Sequence, residues 1–305
     1  MLSLLTSILL FGLISFDVFR LSDSSDLIVN TTLGPIQGFQ YTWQKDSSIV
    51  VNAWKGIPFA SSPVGDFRWK APQAASGWTE VLPCKSNKPY CVQPSGVGSE
   101  DCLYLNVYST VNPKDNPPYP VLYYIYGGSL MSGSATEDFS SFIARAGSGK
   151  GVVVVTVAYR VNIFGFLATA ELSAEQGGHS GNYGILDQQA GLRWVQDNIA
   201  AFGGDPTRVT VAGQSSGGTS IFALMSSPAS KGLFHAAISL SGSPNISLSL
   251  SKAELQNAPI VKASGCLDLA CLRAQDVKSL VKLIPESWST PGYDILETFT
   301  AYLII

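Results

Sequence analysis

An α/β fold with a mixed central sheet is the architecture this sequence predicts, and two observations carry that reading. Short apolar runs rich in β-branched and aromatic residues alternate with segments of helical spacing. One such run passes into a helical segment through a turn of glycine and serine, "VTVAGQSSGGTSIF" at 209–222. Size agrees, because 305 residues that are 46% apolar can bury one large core. Only 13% of residues are charged and the formal net charge is -3, so no broad basic field exists to hold phosphate backbones or an anionic membrane surface. Nucleic acid is excluded as an expected partner.

The opening "MLSLLTSILLFGLISF" is apolar or small from Met1 to Phe16 and gives way to a polar stretch. It reads as a secretory signal segment over residues 1–20, shorter than the ~20 apolar residues that span a bilayer, with no span expected beyond it. Residues 21–305 follow as one unit. "LIVNTTLGPIQGFQYT" alternates apolar and polar residues around Gly34-Pro35, which predicts a short antiparallel hairpin. The Pro- and Gly-rich passage "GIPFASSPVGDFRWKAP" suits no regular element. Strands are expected at "CLYLNVYS", "PVLYYIYGG", "GVVVVTVAYR", "RVTVAG" and "HAAISLSG". The last four lack strict alternation, which predicts helices over both faces. In "GILDQQAGLRWVQDNIAAFGGD", Leu186, Ala190, Trp194, Val195, Asn198 and Ile199 recur at helical spacing, and Gly203-Gly204 ends the run. Asp205-Pro206 then turns the chain into the strand that leads to Ser215.

Two features agree with export. Asn30-Thr31-Thr32 and Asn245-Ile246-Ser247 fit the glycosylation sequon, and the five cysteines fall in no paired C-x-x-C cluster. A zinc site therefore fails on spacing, whereas two local disulfides with one cysteine left over suit a secreted protein.

The chemistry centres on Ser215. Gly213-Gln214-Ser215-Ser216-Gly217 is a G-x-S-x-G string, which gains meaning only when a strand enters it and a helix leaves it, lifting the serine hydroxyl off the end of a sheet. "RVTVA" and "GGTSIFALMSS" supply that context. A trypsin-like reading fails, since an all-β protease would not send its serine into a helix. Acyl transfer also needs donors for the oxyanion, and "YYIYGGSLMSGSA" places Gly127-Gly128 at the end of an earlier strand. The backbone N–H groups of Gly128, Ser129 and Ser216 are the expected donors, and Tyr126 is expected at the mouth of the site. "ARAGSGKGVVVV" fails as a phosphate loop, because Ala144 and Gly151 stand where Gly and Ser or Thr are needed. Trp54, Trp69, Trp78 and Trp194 read as core or lining residues and not as a ligand cage.

These stretches, together with "SEDCLYLNVY", "VVVVTVAYRVNIFGF" and "LFHAAISLSGS", resemble the type-B carboxylesterases, the cholinesterase-like family of the α/β-hydrolase fold, from about Thr32 to Arg273. The resemblance implies the N-terminal part of such a domain, its sheet incomplete at the C-terminal end, with Ser215 as the acylated nucleophile and a small-molecule carboxylic ester as substrate. It implies Cys91–Cys102 and Cys266–Cys271 disulfides with Cys84 free, and structural ion pairs Arg68–Glu100 and Arg160–Asp187. A ring of that kind is worth ~3 kcal/mol in chain entropy. Two positions depart from the family: its usual third loop glycine is Ser129 here, and the alanine that commonly follows the nucleophile is Ser216. The short loop between Cys91 and Cys102 carries no tryptophan, which argues against choline esters, and Pro94 to Ser99 leaves little room for a lipase lid. Serine acyl transfer needs no metal or organic cofactor, and none is expected.

A serine needs an imidazole base oriented by a carboxylate, and in this fold the chain order is Ser, then Asp or Glu, then His. The sequence holds two histidines, His179 before the nucleophile and His235 twenty residues after it at the start of a strand. His179 has the wrong order in a polar loop, His235 is expected to be structural with a makeshift base as its alternative, and the family's acid and histidine come from segments beyond residue 305. The chain as written is therefore expected to be nearly inactive. A non-catalytic adhesion or binding protein of the same family is the competing reading, disfavoured because such members usually lose the serine itself.

Overall fold

The computed structural model describes residues 19–22, 27–43, 46–110, 118–146, 151–244, 247–285, 288 and 303–304. Most of the expected leader, residues 1–18, and the sequon asparagine Asn245 lie outside them. Thirteen strands are named in chain order: β1 (Phe19–Ser22), β2 (Ile28–Asn30), β3 (Pro35–Gln37), β4 (Phe39–Trp43), β5 (Val50–Pro58), β6 (Leu82–Pro83) and β7 (Tyr104–Ser109). They continue as β8 (Tyr119–Ile125), β9 (Val153–Val157), β10 (Gly204–Gln214), β11 (Ala236–Leu240), β12 (Ser247–Leu248) and β13 (Leu303–Ile304). The helices are α1 (Ser140–Ala146), α2 (Asn162–Phe166), α3 (Ala170–Glu175), α4 (Tyr183–Asn198), α5 (Ser216–Ser226), α6 (Leu250–Ser264), α7 (Leu269–Ala274) and α8 (Val277–Val281).

Eight strands form the main sheet in the order β1-β4-β5-β7-β9-β8-β10-β11. Pairing is antiparallel from β1 through β9 and parallel across β9, β8, β10 and β11, so the sheet is mixed as expected. The β1 strand begins inside the span assigned to the leader and pairs Phe19 with Trp43. The hairpin around Gly34-Pro35 is present as β2 and β3. Gly56 to Pro58 of the passage expected to be irregular instead complete β5, opposite Tyr104 and Leu105 of β7.

Side chains leave the strands alternately, so neighbouring residues feed two separate cores. Val107 and Val155 face the larger core with Trp54, Leu192 and Phe202, whereas Tyr108 and Val154 face a smaller one with Val51, Ile143 and Ala144, covered by α1. Trp54, Trp69 and Trp194 are buried in the larger core, with Trp78 half-buried at its edge. The expectation of two covered faces fails at β11, where Ile238 and Leu240 are 46% and 53% exposed. Among the described residues that strand pairs only with β10, so it stands at an edge of the sheet.

The α4 helix ends as foreseen, with Gly203 in the left-handed region at φ 81° after a short 3-10 turn. Its buried side is more polar than the periodicity implied. Leu186 and Ala190 are only half-buried, while Asp187, Gln188 and Gln189 are buried. Each of the three has a specific partner: Arg160 for Asp187, Ser220 for Gln188, and Ser227 with Ser230 for Gln189.

Both disulfides implied by the resemblance are formed, Cys91–Cys102 and Cys266–Cys271, and Cys84 is free and buried. Burial pushes the Cys84 thiol up from 9.0 to about 12. The reactive thiolate at pH 8 is thereby reduced ~10³-fold against an ordinary thiol. With the disulfides intact, a thiol reagent is expected to modify the native chain no faster than global opening allows. One equivalent should then react on unfolding, and a native Cys84 that titrates within minutes would contradict this burial.

Candidate active site

Ser215 sits where β10 ends and α5 begins, half-buried, with φ 56° and ψ -124°. A non-glycine residue in that region carries strain, and the surroundings hold it there. The Ser215 N–H donates to the Leu240 carbonyl at 2.8 Å, and the Ser215 carbonyl accepts the Thr219 N–H at 2.9 Å. Glycine is required behind the turn. A Cβ on Gly217 would stand 2.1 Å from the Ile125 carbonyl oxygen and 2.7 Å from that of Tyr126. Both obstacles are backbone, so Gly217→Ala is expected to force α5 away from β8 at a cost of about 3 kcal/mol in chemical denaturation. An unchanged midpoint would show that the turn is not pressed against β8.

The glycine loop after β8 meets this turn from the other side. A Cβ on Gly127 would lie 2.6 Å from the Gln214 carbonyl oxygen and 3.0 Å from the Ser215 Cβ. Three residues on, the Leu130 N–H donates to the Ser216 Oγ at 3.1 Å. Gly128 and Ser129 lie between these two contacts, and Gly128, Ser129 and Leu130 all have positive φ, at 122°, 59° and 58°. The Ser216 N–H is the first of α5, one of the helix N-terminal donors that no turn of the helix can satisfy. Gly128 and Ser129 thus lie in a loop that touches the Ser215 turn at Gly127 and at Leu130.

Two side chains that the sequence did not single out hold the loop from behind. Asn162 is fully buried with φ 49°. Its N–H donates to the Leu130 carbonyl at 2.7 Å, and its Nδ2 donates to the carbonyls of Met131 at 3.2 Å and Val92 at 2.7 Å. Gln93, inside the Cys91–Cys102 ring, accepts the Gly133 N–H at 2.9 Å and donates to the Gly133 carbonyl at 3.2 Å. The only prior signal was the presence of amides in loops, since an Asn or Gln suits a backbone N–H and C=O at once.

Tyr126 is not at the mouth of the site. It is 2% exposed and stacked on Tyr159 at a centroid distance of 4.3 Å. Each hydroxyl donates to the other residue's carbonyl, Tyr126 at 2.9 Å and Tyr159 at 2.8 Å. The pair straps the end of β8 to the end of β9, and burial holds both hydroxyls protonated.

Neither histidine is placed on Ser215. The His235 N–H donates to the Val209 carbonyl at 2.8 Å, and the Val209 N–H donates to His235 Nδ1 at 3.3 Å. Val209 is six residues before Ser215 on an extended strand, a separation of ~20 Å. His179 is exposed in the loop between α3 and α4, where it lines a 790 Å³ cavity with Lys70, Gln176 and Tyr183. Ser215 does not line that cavity.

Arg68–Glu100 and Arg160–Asp187 are bidentate ion pairs, with closest distances of 2.6 and 2.7 Å. Among the described residues no group of His, Cys, Asp and Glu could hold a metal ion, and no helix is long and apolar enough to cross a membrane.

The carboxylesterase family model matches residues 25–300. The para-nitrobenzyl esterase of Bacillus subtilis (strain 168) is 43% identical over 225 residues, 70% of this chain and 43% of that protein. Carboxylesterase 3B of Mus musculus is 45% identical over 230 residues, 70% of this chain and 39% of that protein. In the crystal structure of the Geobacillus stearothermophilus carboxylesterase EST55, 54% of the chain superposes on 85% of this one with a TM-score of 0.76 at 37% identity. The chain spans about half the length of the curated relatives it matches. Its mixed sheet is that of an α/β-hydrolase, and the chain belongs to the carboxylesterase family.

Proposed function

We infer that the chain is the N-terminal portion of a serine carboxylic-ester hydrolase acting on small-molecule esters. The observation that carries this is the approach of the glycine loop to a strained serine between strand and helix. Ser215 Oγ attacks the ester carbonyl carbon, and its proton would pass to an imidazole base that neither His179 nor His235 supplies and that the remainder of the domain would bring. The carbonyl oxygen becomes the oxyanion and receives the N–H groups of Gly128, Ser129 and Ser216. Collapse expels the alcohol, which takes the proton, and leaves an acyl ester on Ser215. Water then releases the acid by the same steps reversed.

Because His235 is fixed on Val209 in the middle of β10, six residues before Ser215, and His179 lines a separate cavity, residues 1–305 alone are expected to turn over slowly. Loss of a triad histidine costs on the order of 10⁶ in turnover, with ~10³–10⁴ over water surviving from binding and the oxyanion hole. A fluorophosphonate probe tests the reading, and labelling is read throughout on a chain extended to carry that base, since phosphonylation joins the Ser215 Oγ to phosphorus, expels fluoride and passes the serine proton to the imidazole, with no second half-reaction. The expected result is one adduct per chain, mapped to the peptide holding Ser215. A chain that takes no adduct on that peptide would support the binding-protein reading. Export belongs to the same proposal. Asn30 is exposed on β2, so expression through a secretory route is expected to add a glycan there that an amidase removes.

A further inference from the structure

Ser129 and Ser216 lie on opposite sides of the same contact. The Ser216 side chain is buried, and its oxygen accepts the Leu130 N–H at 3.1 Å. The Leu130 amide is thereby tied to the first residue of α5. Close by, the Tyr159 hydroxyl donates to the Tyr126 carbonyl at 2.8 Å, at the end of β8.

What the Ser216 bond holds is the peptide unit between Ser129 and Leu130. Ser129 at φ 59° and Leu130 at φ 58° are successive left-handed residues, each with a Cβ that disfavours the conformation. The other braces act elsewhere. Asn162 holds the carbonyls of Leu130 and Met131, and Gln93 holds Gly133. Among the described residues, only the Ser216 oxygen receives the N–H of the 129–130 peptide. An alanine at 216 would leave that amide unpaired. A glycine at 129 would remove the strain that makes the restraint necessary.

We propose that Ser216 and Ser129 are a compensating pair, in which the Ser216 hydroxyl is a positioning group that clamps the 129–130 peptide and so keeps the Gly128 and Ser129 amides aimed at the oxyanion despite a serine at 129. The proposal rests on the hydrolase reading for its catalytic half and stands on its own for the clamp.

The test has two arms on the full chain. In the first, hydrogen exchange of the segment containing Leu130 is followed in the parent, Ser216→Ala and Ser216→Thr. Exchange at Leu130 is expected to rise at least tenfold in Ser216→Ala and to stay within threefold of the parent in Ser216→Thr, which keeps the hydroxyl. An unchanged rate in Ser216→Ala overturns the clamp whether or not the chain is an enzyme. In the second arm, the rate of fluorophosphonate labelling at Ser215 is compared around a cycle of Ser216→Ala and Ser129→Gly. Ser216→Ala is expected to slow labelling tenfold or more in the parent and less than threefold in the Ser129→Gly background. Equal slowing in both backgrounds overturns the compensation. If the parent does not label at all, the hydrolase reading fails and the exchange arm still decides the clamp.

Discussion

Ser215→Ala is expected to abolish fluorophosphonate labelling, lowering the rate at that peptide by at least ~10³-fold, because the new bond to phosphorus forms at the Ser215 Oγ and no neighbouring nucleophile shares its donors. Ser216 is adjacent in sequence, but it is buried and its oxygen is already committed to Leu130, so it is no substitute. His235→Ala supplies the contrast. Its imidazole nitrogen holds the Val209 amide in the middle of β10, six residues before Ser215, so that variant should label within threefold of the parent. A strong loss in His235→Ala would mean that the imidazole reaches the serine, which the strand geometry forbids. Strain adds a second signature to the nucleophile. Ser215 carries its Cβ at φ 56°, and Ser215→Gly should relieve about 1 kcal/mol, giving a chain at least as stable as the parent and equally unable to label. Function and stability are opposed at this one residue.

Much of this site was legible because its signals are local. A strand, a glycine-flanked serine and a helix lie within fourteen consecutive residues, and the sharp turn follows from where the glycines stand. The same holds for the glycine loop, which needs only the end of β8. The braces are illegible for the opposite reason. Leu130 and Ser216 are 86 positions apart, Val92 and Asn162 are 70 apart, and Gln93 and Gly133 are 40 apart, so no periodicity or spacing brings them together. Tyr126 was misplaced because an aromatic beside a glycine loop reads as lining until its stacking partner on another strand is known. The α4 helix shows a third kind of limit. Counting apolar residues picked Leu186 and Ala190, yet the helix buries Asp187, Gln188 and Gln189, whose acceptance in a core depends on partners 27 to 41 residues away. At β11 the apolar run does form a strand, but composition does not say what covers its faces, and Ile238 and Leu240 stay exposed.

Asp187→Ala should be the most destabilising of these single substitutions, costing about 3–5 kcal/mol in urea denaturation, a large part of the ~5–15 kcal/mol that holds a domain together. The Asp187 carboxylate is fully buried and takes three hydrogen bonds from Arg160: the backbone N–H at 2.9 Å, Nε at 2.8 Å and Nη2 at 2.7 Å. Nη2 also donates to the Lys70 carbonyl at 2.8 Å, so one guanidinium joins the end of β9, α4 and the loop through Lys70. Nη1 has no partner among the described residues, which leaves the cation with little reserve once its carboxylate is gone. The cost comes mainly from the stranded charge and only secondarily from the lost attraction, and that can be separated experimentally. If the charge dominates, Arg160→Met with Asp187→Leu should be clearly more stable than Asp187→Ala alone, because no ion then remains to be solvated. If the double variant is as unstable as the sum of its parts, the pair is instead valued for the geometry it imposes on α4. Asp187→Asn discriminates further: it keeps an acceptor for the Arg160 amide but not the charge, so it should fall close to alanine if electrostatics governs and close to the parent if hydrogen bonding does.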